Sequence, residues 1–198
     1  SDVKTGTMSG VADFDAFTLS GTSGDRILID AVTTSGSLDT WIYLYPPGGG
    51  GPVVSTFGGN RADFQLTSTG THVIVIEDNA NNDAGGYSMS FLNVTAGPLT
   101  NGSDTDGGPI VSNEIKNGQF NQGVDFDAYT FSGTAAQRIV VACVATGAGT
   151  HNTNVTVFPA GGGAAISATT ADRTDVQLTT SGTYTIVIED NGNDIAGS

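Results

Sequence analysis

The chain has 198 residues, 29 of them glycine, and its 20 acidic against 6 basic side chains give a formal net charge of −14. A potential of that sign repels phosphate, which excludes nucleic acid and anionic membrane surfaces as partners and invites divalent cations. No apolar run approaches the roughly 20 residues needed for membrane insertion, and the opening SDVKTG lacks the features of a signal peptide, so the sequence reads as a mature, secreted chain, extracellular or at the cell surface.

Only 13% of residues are charged, and the abundance of Gly, Thr and Ser favours short strands and tight turns over helices. In chain order, Phe17 and Leu19 alternate with Thr18 and Ser20, and a glycine turn leads into Arg26–Val32. Trp41–Tyr45 follows, closed by Pro46-Pro47-Gly48, which no strand runs through because proline lacks the N–H. Shorter strands near Val53 and Phe64 lead to His72–Glu77, an Asn-rich loop and Tyr87–Val94.

The same scheme then returns 112 positions later. DFDAF at Asp13–Phe17 reappears as DFDAY at Asp125–Tyr129, and STGTHVIVIEDN reappears as TSGTYTIVIEDN, which sets Glu189 opposite Glu77. Seven or eight antiparallel strands per copy predict an all-β chain of two tandem β-sandwich domains, residues 1–94 and 109–198, joined by a flexible linker over residues 95–108 with the sequence TAGPLTNGSDTDGG.

The order of these motifs resembles the bacterial pre-peptidase C-terminal domain. The residues that carry the resemblance are Asp13, Asp15 and Phe17 with Asp125, Asp127 and Tyr129, then Pro46 and Pro159, then Gly70-Thr71-His72 and Gly182-Thr183-Tyr184. It spans nearly all of both copies. What the resemblance implies is a non-catalytic, jelly-roll-like sandwich appended to exported proteins, with relatives in clostridial collagenases that bind collagen and calcium. Their acidic segment before the first strand is replaced here by Asp2-Val3-Lys4 and Asn113-Glu114-Ile115.

Oxygen ligands that calcium takes gather at Asp13 and Asp15, at Glu77, Asp78, Asn79 and Asp83, and in the second copy at Asp125, Asp127, Glu189, Asp190, Asn191 and Asp194. The alternative for each is that its side chain shapes a turn. Arg26 and Arg138 are equivalent, as are Arg61 and Arg173, and pairing with Asp63 or Asp175 accounts for them. Trp41, Tyr43 and Tyr45 share one strand face and suit either sugar stacking or packing. Glycosylation sequons stand at Asn93, Asn101 and Asn154. His72 aligns with Tyr184 and His151 with no second histidine, so no nucleophile–base arrangement repeats and no enzyme is expected. Cys143, opposite Ala31, reads as a buried, inert thiol.

The first copy continues past Gly86 into Tyr87-Ser88-Met89-Ser90-Phe91, a strand with one apolar face, whereas the second reaches only to Ser198, the equivalent of Gly86. A second sandwich without that strand exposes an apolar groove and an open sheet edge. The expected function is a structural one: a subunit of an extracellular fibre or surface array that binds copies of itself head-to-tail by strand complementation, with a donor from Ser1–Val11 anchored by Val3 and Met8. The alternative is an accessory module of an exported hydrolase or adhesin that binds an extracellular polymer such as collagen or polysaccharide.

Overall fold

The computed structural model describes residues 2–57, 61–147 and 152–192. These are all-β, with fifteen strands and no helix among the described residues, hence none long and apolar enough to cross a membrane. The chain divides into two compact units, Val3–Phe91 and a second that begins at Leu92.

The first unit is a sandwich of two four-stranded sheets. One contains β1 (Asp2–Met8), β8 (Gly85–Asn93), β3 (Arg26–Gly36) and β6 (Ala62–Gln65) in that order; the other contains β2 (Phe14–Gly21), β7 (Gly70–Asp78), β4 (Thr40–Tyr45) and β5 (Val54–Phe57). Alternation dictates the layers. Along β4, Thr40, Ile42 and Leu44 are buried while Trp41, Tyr43 and Tyr45 are half-buried, because successive side chains point to opposite faces. Ile27, Ile29 and Ala31 from β3 meet Ile42, Leu44, Ile74 and Ile76 in the core, which Met8, Tyr87 and Met89 complete.

In the second unit one sheet orders β13 (Ser167–Thr169), β12 (Thr153–Phe158), β15 (Gly182–Asp190), β10 (Asp127–Gly133) and β9 (Gly107–Pro109); its partner has only β11 (Arg138–Ala142) and β14 (Arg173–Gln177). β10 pairs with β15 from Asp127–Ile188 to Gly133–Gly182, as β2 pairs with β7 in the first unit. The sheets are antiparallel except at β9, which runs parallel to β10.

Within the stretch 95–108, Asn93 Oδ1 accepts from the N–H groups of Thr95 and Ala96, Asn101 Oδ1 from those of Ser103 and Asp104, and the stretch runs into β9. One expectation is corrected here. The strand Tyr87–Phe91 is not one-sided, since Ser88 and Ser90 are as buried as Tyr87 and Met89.

Candidate functional site: an open slot in the second sandwich

The difference between the halves is concentrated at one place. β3 of the first unit is flanked by β8 and β6, and β8 in turn by β1. Its counterpart β11 pairs with β14 alone among the described residues. Ile27, Ile29 and Ala31 are fully buried, whereas the equivalent Ile139, Val141 and Cys143 are only partly so. Val140 is 53% exposed where its equivalent, Leu28, is 0% exposed.

The counterpart of β1 responds to the same gap. Glu114–Phe120 reads EIKNGQF against DVKTGTM at Asp2–Met8, yet Glu114–Gln119 forms no strand and Ile115 is 86% exposed. β1 pairs with β8 in the first unit; among the described residues no such neighbour stands beside its twin, of which only Phe120 forms a bridge. Between this segment and β11 lies a groove of about 440 Å³, lined on one side by Ile115, Asn117 and Gly118, on the other by Val141, Cys143 and Val144, and floored by Tyr129, Ile186 and Ile188. Cys143 is thus half-buried in the groove wall rather than sealed in a core, with its thiol pKa raised by burial.

At one end the groove reaches Asp127. Asp104, Asp125 and Asp127 are all buried, and each brings one carboxylate oxygen within 4.8 Å of the others. Burial above all, then the charges of Asp125, Asp104 and Asp106, pushes the Asp127 pKa up to about 8. Asp127 Oδ1 is fully shielded from solvent and has no hydrogen-bond partner. An all-carboxylate oxygen set of this kind matches what a hard cation such as calcium takes.

The remaining candidate residues are dispersed. Asp13 and Asp125 close equivalent turns, accepting from the N–H of Ser9 at 2.8 Å and of Asn121 at 2.9 Å; the Ser9 bonds hold Asp13 below the ordinary aspartate value. Asp15 accepts from the Tyr87 hydroxyl at 2.6 Å. Burial acts to raise Asp78, but the N–H groups of Asn82, Asp39, Asp83 and Ala80 together outweigh it and hold the carboxyl low. Asn79 donates its N–H to Asp39 O and Asn191 its own to Asn152 O, both at strand exits. Glu77 lies opposite Phe14 and Trp41 on an outer face, Glu189 accepts from Asn154 Nδ2 at 2.6 Å, and Asp190 is buried at the end of β15. Asp83 donates its N–H to Asp78; Asp194 and His151 lie outside the described residues. Among the described residues, only Asp125 and Asp127 of these candidates join a three-acid cluster, together with Asp104, which the repeat pattern did not single out.

Trp41 and Tyr43 stack at 6.0 Å between centroids, Tyr43 and Tyr45 follow at 6.2 Å, and Phe57 meets Trp41 edge-on. This aromatic row lies on the outer face of the first unit. Arg26 pairs with Asp63, and Arg138 with Asp175 at 2.7 Å, as their repeat suggests. His72 reaches back to Ser68 Oγ and Gly70 O, and its counterpart Tyr184 donates its hydroxyl to Thr180 O at 2.7 Å, so both brace the turn before their strand. Of the sequon asparagines, Asn93 is buried, Asn101 shapes a turn, and Asn154 is half-buried and bonded to Glu189.

No protein-family model matches the chain, and no curated protein matches it in sequence. Among solved structures it is similar to Aeromonas hydrophila PliG, a periplasmic lysozyme inhibitor of g-type lysozyme, at 15% identity over 46% of this chain and 84% of that one, with a TM-score of 0.37. The CUB1-EGF-CUB2 domains of human MASP-1/3 align over 98% of this chain and 97% of that one, at 8% identity and a TM-score of 0.25. At such scores neither likeness bears on function.

Proposed function

We propose that this is a non-enzymatic, exported structural protein whose second sandwich works as an acceptor, taking an added β-strand into the groove beside β11. The observation that carries this reading is the open edge itself: β11 and Glu114–Phe120 flank the groove as β3 and β1 flank β8 in the first unit. An unpaired edge above partly exposed apolar side chains is the form that strand-addition sites take. The motif order shared with pre-peptidase C-terminal domains, and the braced, non-repeating His72, support the same non-catalytic reading. One earlier expectation changes. A donor from Ser1–Val11 is corrected, because β1 is committed to its own sheet and Met8 to its own core; a head-to-tail fibre needs a different donor.

Size-exclusion chromatography and negative-stain imaging, combined with hydrogen exchange, test the proposal. Filaments or concentration-dependent oligomers with protected β11 amides are the expected result. A monodisperse monomer in which those amides are already protected would overturn it, since the edge would then be sealed from within. If the monomer is open-edged and binds collagen or polysaccharide instead, the accessory-module reading replaces it.

The acidic cluster supports a subordinate proposal, that calcium binds between Asp104, Asp125 and Asp127. One oxygen from each leaves Asp127 a second. The expected result is a melting temperature raised by calcium and returned by chelator; a melting temperature indifferent to both removes the idea.

A further inference from the structure

Resting on the acceptor reading, we infer that the groove selects a strand whose first inward side chain is tyrosine, and that Asp127 is the residue that recognises it. The two halves supply the argument. In the first unit Tyr87, at the start of β8, donates its hydroxyl to Asp15 Oδ2 at 2.6 Å. Asp127 is the counterpart of Asp15 by the 112-residue repeat and pairs with Ile188 as Asp15 pairs with Ile76. It lines the groove, is only 4% exposed, and has a shielded Oδ1 without a donor. A buried acceptor left unsatisfied is costly, and the group that satisfies its twin is a phenol.

The neighbouring segment carries glycine at the same place. A Cβ placed on Gly6 would lie 2.3 Å from the Tyr87 hydroxyl oxygen, so β1 admits that ring only because residue 6 is glycine. The equivalent position is again glycine, Gly118, and it too lines the groove, where a Cβ would lie 2.6 Å from Asp127 Oδ2 and 3.0 Å from the hydroxyl of Tyr129 on the groove floor. Direction follows from the first unit: the N–H of Gly86, at the start of β8, donates to Ser35 Oγ at the far end of β3, so the two neighbours run in opposite senses. The occupant therefore runs antiparallel to β11, with tyrosine at the Asp127 end and small side chains alternating with large apolar ones, as in Tyr87-Ser88-Met89-Ser90-Phe91.

The test uses the full chain and three synthetic peptides with a lysine tail for solubility: GGYSMSFLNV from residues 85–94, the same peptide with Tyr87→Phe, and a scrambled control. The tyrosine peptide is expected to bind about tenfold more tightly than the phenylalanine peptide, the value of one hydrogen bond to a buried carboxyl group, and the scrambled one not at all. In the Asp127→Val chain, which removes the acceptor without leaving a polar orphan, that preference should vanish or invert. Equal binding of the tyrosine and phenylalanine peptides to the native chain would overturn the assignment of Asp127 while leaving the acceptor reading intact. Failure of both to bind above the scrambled control would overturn the two together. The comparison in the native chain decides even if the variant does not fold.

Discussion

The two halves of this chain are built from the same strands, and what separates them is one strand and its consequences. In the first, β8 is buried on both faces, joins β1 to β3, and contributes Tyr87 and Met89 to the core. In the second, no described residue fills the corresponding space, Glu114–Gln119 forms no strand, and Ile139 and Val141 of β11, with Cys143 just beyond it, are only partly buried. The lesson is that a single strand between two others does three jobs at once: it covers a core, satisfies two backbone edges and fixes a third segment in place. Where no described residue fills its place, the exposure reaches residues far from it in sequence.

The strongest way to break this contrast is to abolish it. Appending YSMSFLNV after Ser198 should let the second unit close like the first, burying three large side chains at about 1.5–3 kcal/mol each, at most about 9 kcal/mol in all. The expected outcome is a large upward shift of the second unit's unfolding midpoint in urea, with Cys143 becoming unreactive to thiol reagents. Unchanged Cys143 labelling would show that the added strand does not enter the groove.

Matched truncations sharpen the contrast from the other side. Ile29 and Val141 are equivalent, but Ile29 is 1% exposed and Val141 only partly buried. Ile29→Ala should cost about 2–5 kcal/mol and Val141→Ala well under that, because solvent already reaches its site. Urea unfolding followed separately for the two units, since two domains need not unfold in one step, reads the difference. Equal costs would mean that the groove is not open in solution.

A third difference is electrostatic. Asp15 has its tyrosine; Asp127 is pushed up to about 8, by burial first and then by Asp125, Asp104 and Asp106. The unfolded chain releases that proton near its ordinary value of 3.8. Between these values the folded state holds a proton that the unfolded state has lost, so the stability linked to Asp127 is complete below about pH 4 and is lost as pH rises to about 8. The second unit should therefore weaken across that window, and Asp127→Asn should flatten the slope. A slope untouched by the substitution would assign the effect to another group.

Much of this contrast was legible in the sequence because repeat offset and strand alternation survive divergence. DFDAF against DFDAY located the equivalent strands β2 and β10, and Tyr87-Ser88-Met89 announced the strand that completes the first sandwich. The rest was hidden for physical reasons. Ser88 and Ser90 read as solvent-facing because they are small and polar, yet both are buried, and polarity alone does not report the burial of a side chain this small. Glu114–Phe120 carries its signal in Lys116 and Gly118 at the positions of Lys4 and Gly6, which only the repeat offset reveals, since a segment robbed of its partner shows no strand. Asp104 lies ahead of the stretch over which the two copies can be compared, so the repeat pattern did not single it out.

The smallest expected effect lies in a pair the halves do share. Arg26 meets Asp63 with side chains 15% and 24% exposed, whereas Arg138 meets Asp175 with side chains 68% and 32% exposed. The bond spans equivalent strands in both units, β3 to β6 and β11 to β14, but water screens the second far more. Exposed ion pairs contribute about 0–1 kcal/mol, so Arg138→Ala should fall at the bottom of that range and be insensitive to added salt. Arg26→Ala should cost more, because it strips a partner from a carboxylate with less water to replace it and removes an aliphatic stem that covers the sheet. If the two cost the same, the exposure of β11 does not extend to its paired edge, and the opening of the second sandwich is confined to the side that faces Glu114–Phe120.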